Sequence, residues 1–113
     1  MHISNLFTDV APPAEGERFE TLLRHRNLVV ERIVSSAAVS PQEYIQGQDE
    51  WVLLVQGEAE LDVAGEELAL QAGDYLFLPA GVPHTVRRTS EGAIWLAVHL
   101  HPGQAGPDST GSI

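Results

Sequence analysis

Residues 50–84 read EWVLLVQGEAELDVAGEELALQAGDYLFLPAGVPH, and this stretch decides the fold. Glu50 is followed after six residues by Gly57; Gly73 is followed after five by Pro79, after one by Gly81 and after two by His84. In residues 50–56, alternation puts Glu50, Val52 and Leu54 on one face and Trp51, Leu53 and Val55 on the other. Both faces are apolar, so both need a cover. Residues 57–63 alternate Ala59, Leu61 and Val63 against three acids, the pattern of a half-buried strand. Ala64-Gly65 is a hairpin turn and residues 67–70 return from it. After a turn at 72–74, residues 75–78 form an apolar strand, and the prolines and Gly81 make 79–83 a rigid bend. A carboxylate and an imidazole, each at the end of an apolar strand, are thereby brought together in the apolar lumen of a small β-barrel.

Working outward, residues 84–88 and 93–101 read as strands joined by a turn at 90–92. On the N-terminal side, residues 28–35 (LVVERIVS) are rich in β-branched residues and form a strand. Short strands are expected at 19–23 and 43–46, with a polar turn at 24–27 that leaves His25 solvated. Residues 1–18, with breakers at 11–16, are an N-terminal arm. Residues 19–101 form the barrel, and the apolar-poor tail 102–113 is expected to be disordered. Short strands without helical periodicity predict an all-β protein, a single antiparallel jelly-roll barrel.

The 113 residues suffice for one domain, and 43% apolar content supports a packed core. With no cysteine there are no disulfides, thiolate metal sites or cysteine nucleophiles. All six basic residues are arginines, so Schiff-base chemistry on lysine is excluded. A net charge of −10 argues against nucleic-acid and anionic-membrane partners. Without a long apolar run or a leader-like N-terminus, the expected compartment is the cytoplasm.

At residues 50–57 and 73–84 the chain resembles the cupin superfamily. Gly73, Pro79, Gly81 and His84 match every position of the second cupin motif up to its histidine. The asparagine that usually follows four residues later is replaced by Arg88. Of the first motif, Glu50 and Gly57 are kept, while Tyr44 and Gln46 stand where its two histidines would be. The resemblance is greatest to single-domain bacterial cupins of unassigned function that carry DEWV and WLAVH strands, here 49–52 and 95–99.

The resemblance implies a lumen in which His84 faces Glu50, Gln46 and Tyr44. One imidazole with three oxygen donors suits a divalent ion such as Mn²⁺, Fe²⁺, Zn²⁺ or Ni²⁺. The bland alternatives are a hydrogen-bonded Glu50 at the barrel mouth and a core His84 bonded to a carbonyl. His99 shares parity with Trp95 and Ala97. It lies in the lumen if the 94–100 aliphatic face is outermost, and at a dimer interface if the phase is reversed. Its fifteen-residue separation from His84 is similar to that of a histidine beside the metal ligands in thiol dioxygenases, which are also cupins. Arg88, at the parity of His84, either holds a ligand carboxylate or phosphate at the mouth or pairs with a surface acid. Three functions stay open: a metal-dependent enzyme on a small polar molecule, a metal-free isomerase or epimerase using His84 with Tyr44 or Glu50, and a non-catalytic sensor or storage barrel. The apolar stripe of Trp51, Leu53 and Val55, with the sheet pairing common among cupins, predicts a homodimer.

Overall fold

A computed structural model describes residues 1–103; the expectation for the tail falls, beyond residue 103, outside the described residues. Nine strands follow in order: β1 (Glu17–His25), β2 (Leu28–Ser35), β3 (Glu43–Tyr44), β4 (Asp49–Gln56), β5 (Glu58–Val63), β6 (Glu66–Gln71), β7 (Tyr75–Leu78), β8 (His84–Thr89) and β9 (Ala93–Leu100). They form two antiparallel sheets, β1-β2-β9-β4-β7 and β3-β8-β5-β6, which is a jelly roll with no helix among the described residues. The β5–β6 hairpin turns through Ala64 and Gly65, whose φ values of 50° and 84° are those of a turn matched to strand twist.

The sheets close on one core. Ile33, Val52, Leu54, Trp95 and Ala97 come from the five-stranded sheet, and Ala59, Leu61 and Leu70 from the other. These are the inward positions expected from alternation in β4 and β5. β9 is the central strand. It pairs with β2 from Leu28↔Leu100 to Ser35↔Ala93 and on its other edge with β4. Gly57 sits where β4 passes into β5 over the β8–β9 turn. Its φ is +94°, and an added Cβ would come within 2.6 Å of Ser90 Oγ and 2.9 Å of Ala93 Cβ. The motif glycine is required there both by backbone conformation and by space.

The N-terminal arm is fastened to the outer face of the large sheet. Arg32, 4% exposed, donates to the carbonyls of Leu6 (2.7 Å) and Thr8 (2.6 Å) and pairs with Glu20. Arg18 donates to the carbonyls of Asp9 and Ala11 at 2.7 and 3.0 Å. A buried guanidinium is tolerable because carbonyls and a carboxylate surround it.

Candidate functional site

A cavity of about 100 Å³ lies between the sheets. Its apolar wall is built from Ile33, Val52, Leu61, Leu78 and Trp95. Its polar side chains come one to an element: Glu17 from β1, Glu31 from β2, Tyr44 from β3, Gln46 from the loop after it, Glu50 from β4, His84 from β8 and His99 from β9. Glu17, Phe19, Tyr44 and Val86 also line a wider groove running over residues 38–42, so the mouth lies between β1 and β3.

The motif bend sets the His84 side of the cavity. The Gly81 amide donates to the Gln46 carbonyl (2.8 Å), tying the bend to the loop that carries Gln46. His84 Nδ1 is 3.3 Å from the Val82 carbonyl, so a proton on that nitrogen leaves Nε2 with its lone pair. The Tyr44 and His84 rings stack with centroids 5.9 Å apart, because the two residues face each other in the β3–β8 ladder.

The opposite side is a row across three adjacent strands. Glu50 on β4 is directly opposite His99 on β9, and Glu31 on β2, paired with Ala97, reaches His99 diagonally. His99 Nε2 is 3.0 Å from Glu31 Oε1; Nδ1 is 3.2 Å from Gln48 Nε2 and 4.0 Å from Glu50 Oε1. The Glu31 hydrogen bond raises the His99 pKa above its ordinary value, against the opposing effect of burial, and the Glu50 charge adds to the rise. Burial pushes the Glu50 carboxyl up, only partly countered by His99 and His84. Glu17 is likewise raised by burial, although Ser35 donates to it at 2.6 Å. Glu50 is 7% exposed and makes no hydrogen bond; its nearest charged neighbour is the His99 nitrogen at 4.0 Å.

Glu50, His84, Gln46, Tyr44 and His99 are therefore brought together, and the lumenal alternative for His99 is the one observed. Arg88 is not with them, and its expected parity is corrected. β8 slips against β5 between Glu60↔Arg88 and Leu61↔Val86, so Arg87 is an extra residue and the inward parity shifts from Val86 to Thr89. Arg88 emerges on the outside and pairs with Glu60 at 3.2 Å. Sequence reasoning missed Glu31, Glu17 and Gln48. Glu31 carried a usable signal, since it shares parity with the apolar Val29 and Ile33.

The donor set does not fit a tightly held resident metal. Among the described residues no group of three or more histidines and carboxylates is spaced to hold an ion. His99 Nε2 is engaged by Glu31, burial raises the Glu50 pKa, and Gln46 is a neutral donor.

A double-sheet barrel with a polar site in its lumen, reached by a glycine- and proline-set bend, defines a class of small β-barrel proteins. The chain belongs to the cupin family: a cupin domain model matches residues 29–99. An uncharacterized protein of Streptomyces coelicolor is 31% identical over 80 residues, 71% of this chain and 76% of that one. An uncharacterized protein of Aquifex aeolicus is 39% identical over 56 residues, half of this chain and 46% of its own length. Among solved structures, a Ralstonia eutropha protein provisionally assigned as a mannose-6-phosphate isomerase is 36% identical, with a TM-score of 0.78. That match covers 90% of this chain and all of the other.

Proposed function

We propose that this cupin binds a small polar molecule in its lumen, and that Glu50 and His84, with Tyr44 beside them, do acid–base work on it without a resident metal. The observation that carries the reading is Glu50. A buried carboxyl that faces the cavity without a hydrogen bond is a group waiting for a ligand. An acid with a raised pKa opposite an imidazole is the equipment of proton transfer.

Fragment screening by NMR tests it. Fragments that bind should move the His84 and His99 imidazole resonances, and Glu50→Gln or His84→Ala should weaken them. Hits indifferent to both substitutions would place the ligand elsewhere and end the proposal.

A second reading is an exchangeable Mn²⁺, Fe²⁺, Zn²⁺ or Ni²⁺ at His84, Glu50, Gln46 and Tyr44. One observation favours it: all four line the same cavity. Calorimetry with Zn²⁺ decides, because Gln46→His should then tighten binding and His84→Ala abolish it. We also propose that the outer face of the large sheet pairs with a second copy of the chain.

A further inference from the structure

The cavity has acids but no fixed cation. The chain has no lysine, and none of its six arginines lines the lumen. Arg18 and Arg32 hold the N-terminal arm, Arg87 and Arg88 pair with Asp62 and Glu60 outside, and Arg24 and Arg26 lie in and beside the β1–β2 turn. Against this stand three lumenal carboxyls. Glu17 accepts from Ser35 and Glu31 is engaged by His99, so each has a protein partner. Glu50 has none.

We propose that the lumen selects a small cationic ligand, an alkylammonium or amidinium of a few heavy atoms, with Glu50 as its counter-charge, and excludes phosphorylated and carboxylated molecules. The inference rests on the lumen being the binding site and adds the ligand's charge class. A buried anion needs a partner that is charged or donates hydrogen bonds, and an ammonium or amidinium does both. A phosphate or carboxylate would instead meet three carboxyl groups, with imidazoles as the only available cations, one of them already paired to Glu31. The volume of about 100 Å³ equals that of roughly three waters at about 30 Å³ each, which suits a compact ligand. The −10 net charge attracts cations and repels anions at long range.

The groups that face Glu50 are His99 on β9, Glu31 on β2, His84 on β8, Glu17 on β1 and Tyr44 on β3.

The test titrates ethanolamine, ethylene glycol, glycolate and inorganic phosphate into the full chain at fixed ionic strength, reading the His84 and His99 imidazole resonances. Ethanolamine should bind about tenfold or more tighter than glycolate, with phosphate silent. Glu50→Gln should weaken ethanolamine about tenfold and leave ethylene glycol within about twofold. Glycolate or phosphate binding as tightly as ethanolamine, or ethanolamine indifferent to Glu50→Gln, overturns the charge assignment alone. Failure of all four probes to reach the imidazoles overturns the lumenal site and the charge assignment with it.

Discussion

Glu50 is a residue whose charged form burial disfavours. Its pKa is raised above the ordinary 4.5 by burial, so the folded state binds the proton more tightly than the unfolded chain does. Stability is then lost as pH rises from the unfolded value through the folded one. Glu50→Gln keeps the shape and removes the charge, and should stabilise the protein at pH 8 by about 1 kcal/mol. Urea unfolding at pH 8 and pH 4 checks this: the gain should shrink at the lower pH, and a loss of stability at pH 8 would contradict the buried-acid account. His99 has the opposite sense. Its raised pKa means that the imidazolium is favoured more in the fold than in the unfolded chain. Its stabilising effect is complete below the ordinary 6.5 and disappears as pH rises through the folded value. Glu31→Gln should lower the His99 titration midpoint, as read by NMR, while an unchanged midpoint would show that the 3.0 Å contact does not govern it. Glu50 and His84 were legible in the sequence because turn residues fix their places. Glu31 was legible only as an acid at the parity of Val29 and Ile33; its partner His99, 68 positions away, was not.

The strands themselves were readable to within about two residues at each end, β1 (expected 19–23, observed Glu17–His25) and β3 (expected 43–46, observed Glu43–Tyr44) differing most, because two apolar faces meeting across one lumen impose alternation. β2 and β7 fall where β-branched and aromatic runs put them. What one strand cannot disclose is its register against another. The β5–β8 bulge moved Arg88 from lumen to surface for that reason. Glu17 escaped notice because β1 begins two residues earlier than the apolar run at Phe19. Gly57 connects these elements, and Gly57→Ala should be among the most damaging small substitutions in the chain. The left-handed φ and the clash with the Ala93 backbone at 3.0 Å together call for a loss of about 2 kcal/mol or more. Thermal melting of the variant checks it, and a shift under about 2 °C would mean that the β8–β9 turn gives way easily.

At the scale of the whole molecule, the outer face of the large sheet is apolar across three strands. Trp51 and Leu53 on β4 are flanked by Val98 and Leu96 on β9 and by Phe77 and Tyr75 on β7. Phe77 and Tyr75 are 56% and 67% exposed. A patch of this kind is expected to be covered, and sedimentation at micromolar concentration should give a dimer that Phe77→Glu converts to a monomer. A wild-type monomer would contradict the proposed pairing. The two sides of the cavity also differ in how they are held. His99 stands on a strand bonded along both edges, whereas Tyr44 stands on a two-residue strand at the rim of the smaller sheet. Amides of β9 should therefore exchange with solvent only on global unfolding, and those around Tyr44 by brief local fraying. A bound molecule would then come and go at the pace of that fraying, so its residence time is set at the rim of the barrel while its affinity is set at the centre.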